Sequence, residues 1–285
     1  MSAPDPNPFA QFAFAAVEKP KKPSLPRPKP GAQYQSLTFL TFVIQGVYLL
    51  LGILLVVALS NHLSLYGQLQ QVKKDQALLE SPPAGTDQFQ LRLAHDRLKS
   101  GALALQQTGD LLMASVAAML GFSGILGLAF TGWTYKATTN LLALGVAKLV
   151  YSPLISALGM FLVPLLTGVP ILNEIAKGSD PARLTPYGHR EQGVSLLVVA
   201  WWLAMVLGNG GSYFLLWKML PKDLQIASAQ PPPQFLLIMV SVTCIISYLL
   251  GIWLVGSIYN NQLARLEVAQ NPPARPAVAV TPEFG

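Results

Sequence analysis

Lysine, arginine, aspartate and glutamate are missing from five long stretches of this chain. None falls between Lys29 and Lys73, Asp110 and Lys136, Lys148 and Glu174, Glu191 and Lys218, or Asp223 and Arg265. A bilayer core about 30 Å thick takes roughly 20 apolar residues in a helix, and an ionisable group at its centre costs at least about 2.5 kcal/mol. All five stretches exceed that length. Charged residues are 11% of the chain and apolar residues 52%, whereas an ordinary soluble domain carries about 25% charge. The expected fold is all-α: a polytopic transmembrane helical bundle with no soluble enzyme domain.

Four stretches read as full spans, at about 37–60, 110–135, 194–217 and 235–259. The first is apolar all round from Val47 to Leu59, with Gln45 the one strongly polar residue inside it. A lone carboxamide in a span is expected to bond a neighbouring helix. The second carries Ala117, Gly121, Gly124 and Gly127. Small residues three and four apart admit a close neighbour, so this helix is expected to be the most deeply buried in protein. Trp133 and Tyr135 near its end, with Trp201, Trp202 and Trp217 in the third span, are read as interfacial aromatics. Residues 153–172 are long enough to span but are interrupted by Pro164, Gly168 and Pro170. Proline removes a helix hydrogen bond and obstructs the preceding turn, so this segment is either kinked or re-entrant.

Between the first two spans, residues 62–108 are polar. Leu65, Leu69 and Val72 on one side, and Leu91, Leu98 and Leu105 with Ala94 and Ala102 on the other, recur at helical spacing around Ser81–Thr86. They predict a helical hairpin that prolongs both spans beyond the bilayer. Residues 1–36, in which Lys19–Pro30 alternates proline with lysine and arginine, read as a disordered tail, as do residues 266–285. Within the first tail, Phe9, Phe12, Ala13 and Ala16 could share one face of a short helix.

With the broken segment re-entrant, twelve of the nineteen lysines and arginines lie on one side and seven on the other. With it spanning, the split is nine to ten. The positive-inside rule favours four spans with both termini cytoplasmic. The net charge of +6 belongs to tails and loops facing anionic lipid, and no folded basic module is present for nucleic acid.

The residues Trp133, Asn140, Leu144-Gly145, Tyr151-Ser-Pro153, Phe161-Leu-Val-Pro164, Glu174 and Ser179-Asp-Pro181, followed by Trp201-Trp202, resemble the domain of unknown function 4328 family of bacterial membrane proteins. The chain departs from that pattern after Pro164, where Leu165-Leu-Thr-Gly-Val-Pro170 replaces an Asn-Leu-Trp-Arg-Pro stretch. The resemblance implies the bundle plan and a bacterial cytoplasmic membrane. It implies no activity.

No catalytic constellation is legible. His62, His95 and His189 lie in separate polar places without metal-binding spacing, and no nucleophile motif or phosphate loop occurs. Cys244, the single cysteine, reads as a small buried hydrophobe. No cofactor or metal is expected. The expected role is a non-catalytic scaffold, sensor or assembly protein, with membrane lipid and a protein partner or second copy around it. The alternative is a small-solute transporter or channel built on the broken segment and Asn209-Gly-Gly211, with Asn209 and Gln45 as candidate polar sites.

Overall fold

The computed structural model describes residues 33–183, 187, 190, 193–219 and 234–271, with side chains of 213–219 excepted. The described residues form six helices: α1 (Thr38–Glu80), α2 (Gln88–Ala143), α3 (Pro153–Leu162), α4 (Pro164–Ser179), α5 (Leu196–Met219) and α6 (Gln234–Gln270). Three of them, α1, α2 and α6, are long and apolar enough to cross a membrane. The chain is a helical membrane protein. The short helix expected within residues 9–17 lies outside the described residues.

Leu37 is fully buried and the Gln35 backbone is held by Asn140, so order begins before residue 37. Helix α6 continues through Leu266 to Gln270.

Helices α1 and α2 run antiparallel around a turn at Ser81–Asp87, where Asp87 caps the α2 amino terminus by accepting the Phe89 N–H. Beyond the apolar segments they continue as a two-helix arm, about 30 Å long at 1.5 Å per residue. Its seam is offset from the expected one. Gln68 faces inward and exchanges hydrogen bonds with Thr108, while Leu69 is exposed. Gly101 packs under Val72, and the neighbouring Ala102 points to solvent. Alternating steps of three and four place Gln68, Val72 and Asp75 on one stripe, which excludes Leu69.

At the other end, hereafter the polar end, α2 stops at Gly145, whose φ of 80° lies in the left-handed region that glycine tolerates. Helices α3 and α4 meet at Val163, the residue before Pro164. Pro164 has no N–H for the Met160 carbonyl. Thr167 Oγ1 bridges the break, donating to Gly159 O at 2.8 Å and Val163 O at 2.9 Å. Pro170 and Gly168, expected as further breaks, are both inside α4. Pro170 is accommodated there at the cost of the bond to the Leu166 carbonyl.

Both ends of the α3–α4 pair lie at the polar end. Glu174 accepts from Val150 N and Tyr151 N just before α3, and Ser179 meets Gln262 of α6. The tip reaches only part of the way along the bundle, where Trp202 Nε1 of α5 donates to Leu165 O at 2.9 Å. Gly208 against Cys244 and Gly211 against Val240 set α5 antiparallel to α6, and Tyr48 against Gly251 sets α6 antiparallel to α1. Through these contacts the tip stands level with about the middle of the apolar part of α1.

The core follows from that. Leu37, Ile44, Trp133, Leu141, Ile171, Leu172, Ile175, Val198, Leu254 and Ile258 are buried together, all in the half that α3 and α4 fill. Among the described residues, the other half of α2 has no neighbour but α1. Gly121, Gly124 and Gly127 have nothing within 4 Å of where a Cβ would stand, and Ala117 is exposed. The expectation that this is the most deeply buried helix is therefore wrong for the chain alone: the hairpin that would have covered it stops short.

Gly251 is the contrasting case, since a Cβ there would stand 2.6 Å from Tyr48 Cζ. Gly251→Ala is expected to destabilise the bundle by about 1–3 kcal/mol through overpacking, whereas Gly121→Ala should leave stability unchanged or raised. Thermal unfolding followed by circular dichroism in mild detergent measures both; equal losses would show that the α1–α6 contact is not formed as described.

Candidate functional site

A polar side chain inside a membrane bundle has no water to fall back on, so each needs a partner within the protein. The polar end of this bundle is organised by that requirement. Asn140, in the last turn of α2, is fully buried. Its Oδ1 accepts from Gln35 N at 2.8 Å, and its Nδ2 donates to Gln35 O at 2.8 Å and to Gln262 Oε1 at 3.1 Å. Gln262 Nε2 donates in turn to Ala137 O at 3.0 Å and to Ser179 Oγ at 3.1 Å. The Ser179 hydroxyl donates to Ile175 O at 2.6 Å. One carboxamide pair thus ties the non-helical segment before α1, α2, α4 and α6 together. Gly178 makes the approach possible, because a Cβ there would lie 2.8 Å from Leu141 Cδ1.

One turn beyond Gln262, Arg265 is 2% exposed. Its Nη1 donates to Gly178 O at 2.7 Å and Arg183 O at 3.0 Å, with Asp180 O at 3.5 Å. Its Nε and Nη2 have no partner. Burial pushes the guanidinium pKa down, and the Asp180 charge opposes that shift. The polar end also carries two latches. The buried Glu174 carboxylate holds the turn before α3, and Asn173 Oδ1 accepts from Ser195 N at 2.8 Å at the start of α5.

Beside this network, between the end of α4, the start of α5 and α6, lies a cavity of about 370 Å³ lined by Lys177, Asp180, Arg183, Ser195, Ser257 and Asn261 among others. Arg183 Nε pairs with Asp180 Oδ2 at 3.1 Å. The arrangement supplies hydrogen-bond donors and positive charge. It brings together no nucleophile with a base, and among the described residues no group of His, Cys, Asp and Glu could hold a metal.

The residues singled out from the sequence are dispersed. Gln45 Nε2 donates to Ile252 O of α6 at 3.2 Å, an interhelical bond. Asn209 is exposed on α5; its glycine neighbours Gly208 and Gly211 do the packing, against Cys244 and Val240. Cys244 is buried. Trp133 and Trp201 are not interfacial: both are buried, with Phe130 5.7 Å from the Trp133 ring and 5.9 Å from the Trp201 ring. The Trp133 N–H is taken by Thr41 Oγ1 at 3.1 Å, so the ring faces protein, not headgroups. Trp202 is half-buried at the α4 tip and Tyr135 is exposed. The Trp217 side chain lies outside the described residues, as does His189. His62 and His95 stand near opposite ends of the arm.

Sequence reasoning missed Gln262 and Arg265 altogether. Their signal was available: two polar residues three apart, on one face, immediately past an apolar span. Asn140, Glu174 and Ser179 entered only through the family resemblance. No family model, curated protein or solved structure matches the chain.

Glutamine at position 174 would keep one acceptor and turn an N–H₂ toward an N–H. Glu174→Gln is expected to cost about 1.5–3 kcal/mol, the range for a hydrogen bond to a charged group, and to speed amide exchange at Val150 and Tyr151. Unchanged exchange there would show that the carboxylate does not hold the turn.

Proposed function

We propose that this chain is a non-catalytic multi-pass membrane protein that works by assembling with protein, as a scaffold or sensor, through its two-helix arm and the open half of α2. The arm is the observation that carries the reading. Some 30 Å of paired helix stands beyond the apolar segments, joined at its seam by Gln68 and Thr108, and positions no catalytic group. Such a structure presents surface. The partner is a different protein or a second copy.

In this reading α1, α2, α5 and α6 cross the bilayer, and α3–α4 enters and returns at the polar end. Both termini then share the cytoplasmic side, in keeping with the twelve-to-seven division of lysine and arginine. A bacterial cytoplasmic membrane follows from the resemblance to the domain of unknown function 4328 family.

A second reading, transport of a small solute, is favoured by the break at Val163. It leaves the Met160 carbonyl, and Pro170 leaves the Leu166 carbonyl, without a helical donor near the bilayer middle, as broken helices in transporters do. Asn209 stands apart from it, seven residues along α5 from the Trp202 contact, or about 10 Å.

Single cysteines at Val150 and Arg190 should react with an impermeant maleimide from the same side; labelling from opposite sides would eliminate the four-span arrangement. For function, native mass spectrometry of the chain extracted in mild detergent should show a stoichiometric second polypeptide that Gly121→Leu with Gly124→Leu removes. A strictly solitary chain, with solute flux in liposomes that Asn209→Leu abolishes, would replace assembly by transport.

A further inference from the structure

We propose that the groove between α1 and α6 holds one lipid with an uncharged, hydroxyl-bearing head group, of the glycosyl diglyceride kind. The reading rests on these two helices crossing the bilayer and is independent of what the arm binds.

Two cavities make the groove. One, of about 540 Å³, lies toward the polar end and is lined by Gln45, Trp253, Gly256 and Asn260 among others. The second, of about 350 Å³, is lined by Leu49, Gly52, Ile53, Val56, Val57 and Ile245 among others. Leu249 and Ile252 line both, so one cavity continues into the other. From Asn260 to Ile245 the groove extends about 22 Å at 1.5 Å per residue. One leaflet of hydrocarbon is about 15 Å deep, which leaves the remainder for a head group. The polar cavity stands at the matching depth: next to Asn260, the Tyr259 hydroxyl lies 3.0 Å from Thr38 Oγ1, at the start of α1.

Two glycines shape the groove. A Cβ at Gly256 would stand 2.9 Å from Gln45 Nε2, whereas at Gly52 the nearest atom, Tyr248 Cδ2, is 3.9 Å away. The first lets Gln45 reach across and donate to Ile252 O at 3.2 Å. The second leaves the apolar half open.

Hydrogen-bonding capacity in the polar half is unused. Gln45 Oε1 accepts no hydrogen bond, and among the described residues the side chains of Ser257, Asn260 and Asn261 make none. Carboxamides left so at the edge of hydrocarbon are costly, and a ligand that pairs with them offsets that cost. They offer donors and acceptors together, as a hydroxyl does. A phosphate group only accepts, and a choline does neither. Trp253, 65% exposed, adds a broad apolar ring with one N–H at the cavity edge. Charge settles the class of head group. No Lys, Arg, Asp or Glu falls between Lys29 and Lys73 or between Asp223 and Arg265, so neither helix offers a phosphate a cation anywhere along the groove. A neutral head group needs none.

The full chain in a polyoxyethylene detergent, which carries no sugar, is given equal mole fractions of monoglucosyl diglyceride, phosphatidylcholine and phosphatidylglycerol with matched acyl chains. Native mass spectrometry should show one glucosyl diglyceride retained per chain in preference to either phospholipid. Asn260→Leu is expected to lower that retention about fivefold, the effect of one hydrogen bond. Gly52→Leu, which fills the apolar half, should lower it about tenfold or more, with melting temperature unchanged in both variants. Gly67→Leu in the arm, where a Cβ also meets nothing within 4 Å, should leave it intact. Equal retention of the three lipids, preference for phosphatidylglycerol, full retention by either groove variant, or an equal loss in Gly67→Leu would each overturn the site. If Gly52→Leu instead removed a second polypeptide and left the lipid unchanged, the groove would belong to a partner helix. Lipid and polypeptide differ in mass, so failure of this site and failure of assembly are read separately.

Discussion

In a bundle without water, the Asn140–Gln262 pair is the contact on which the rest depends. Each carboxamide is buried and uses both its oxygen and its nitrogen, Asn140 on Gln35 and Gln262, and Gln262 on α2 and on Ser179 of α4. The energetics are asymmetric: a satisfied hydrogen bond contributes about 0.5–1.5 kcal/mol net, while a buried group left without a partner costs about 1–3 kcal/mol. The pair therefore rewards one register and penalises every other. With Gln262 in place, α6 is fixed against α2 and α4, the segment before α1 is fixed through Gln35, and Gly178 is brought against Leu141. The Glu174 and Asn173 latches then set the turn before α3 and the start of α5.

From this anchored end the packing thins along the bundle. Association of helices in lipid relies on van der Waals contact and hydrogen bonds, because the chains around them are as apolar as leucine. Gly251 under Tyr48, Gly208 under Cys244 and Gly211 under Val240 supply such contact where α6 meets α1 and α5. Past the tip of α3–α4 nothing comparable reaches α2. The half-length hairpin, itself a consequence of Pro164 turning the chain at Val163, decides which part of the bundle has a core.

The elements were legible where one physical rule dominated. The charge-free windows located the apolar helices, and the polar stretch with heptad-like spacing located the arm. Side-chain roles were less legible. Trp133 and Tyr135 are two apart and look equivalent as belt residues, yet on a helix they lie about 200° apart; one enters the core and meets Thr41 while the other faces out. Leu69 was preferred to Gln68 because it is apolar, but Thr108 across the seam gives Gln68 a partner. Pro170 was read as a break, although a proline in the second turn of a helix disrupts less than one in the middle of a long one. Gln262 and Arg265 escaped notice because they follow the span, where polar residues attract no attention. Only the fold places Ala137, Ser179 and Gly178 opposite them.

The glycines of α2 pose the remaining question of economy within the fold. A glycine inside a helix is destabilising by roughly 0.5–1 kcal/mol relative to alanine. At Gly251 and Gly178 that cost is offset by contacts no side chain would permit. At Gly121, Gly124 and Gly127 no such contact exists among the described residues. The open glycine face and the arm belong to the same two helices and lie toward the same end, away from the anchored network. A partner seated along α1 and α2 would meet both at once without disturbing Gln262. That separation of a fixed end from an open one leaves the packing of α1 against α2 beyond the α3–α4 tip independent of the register that Gln262 sets.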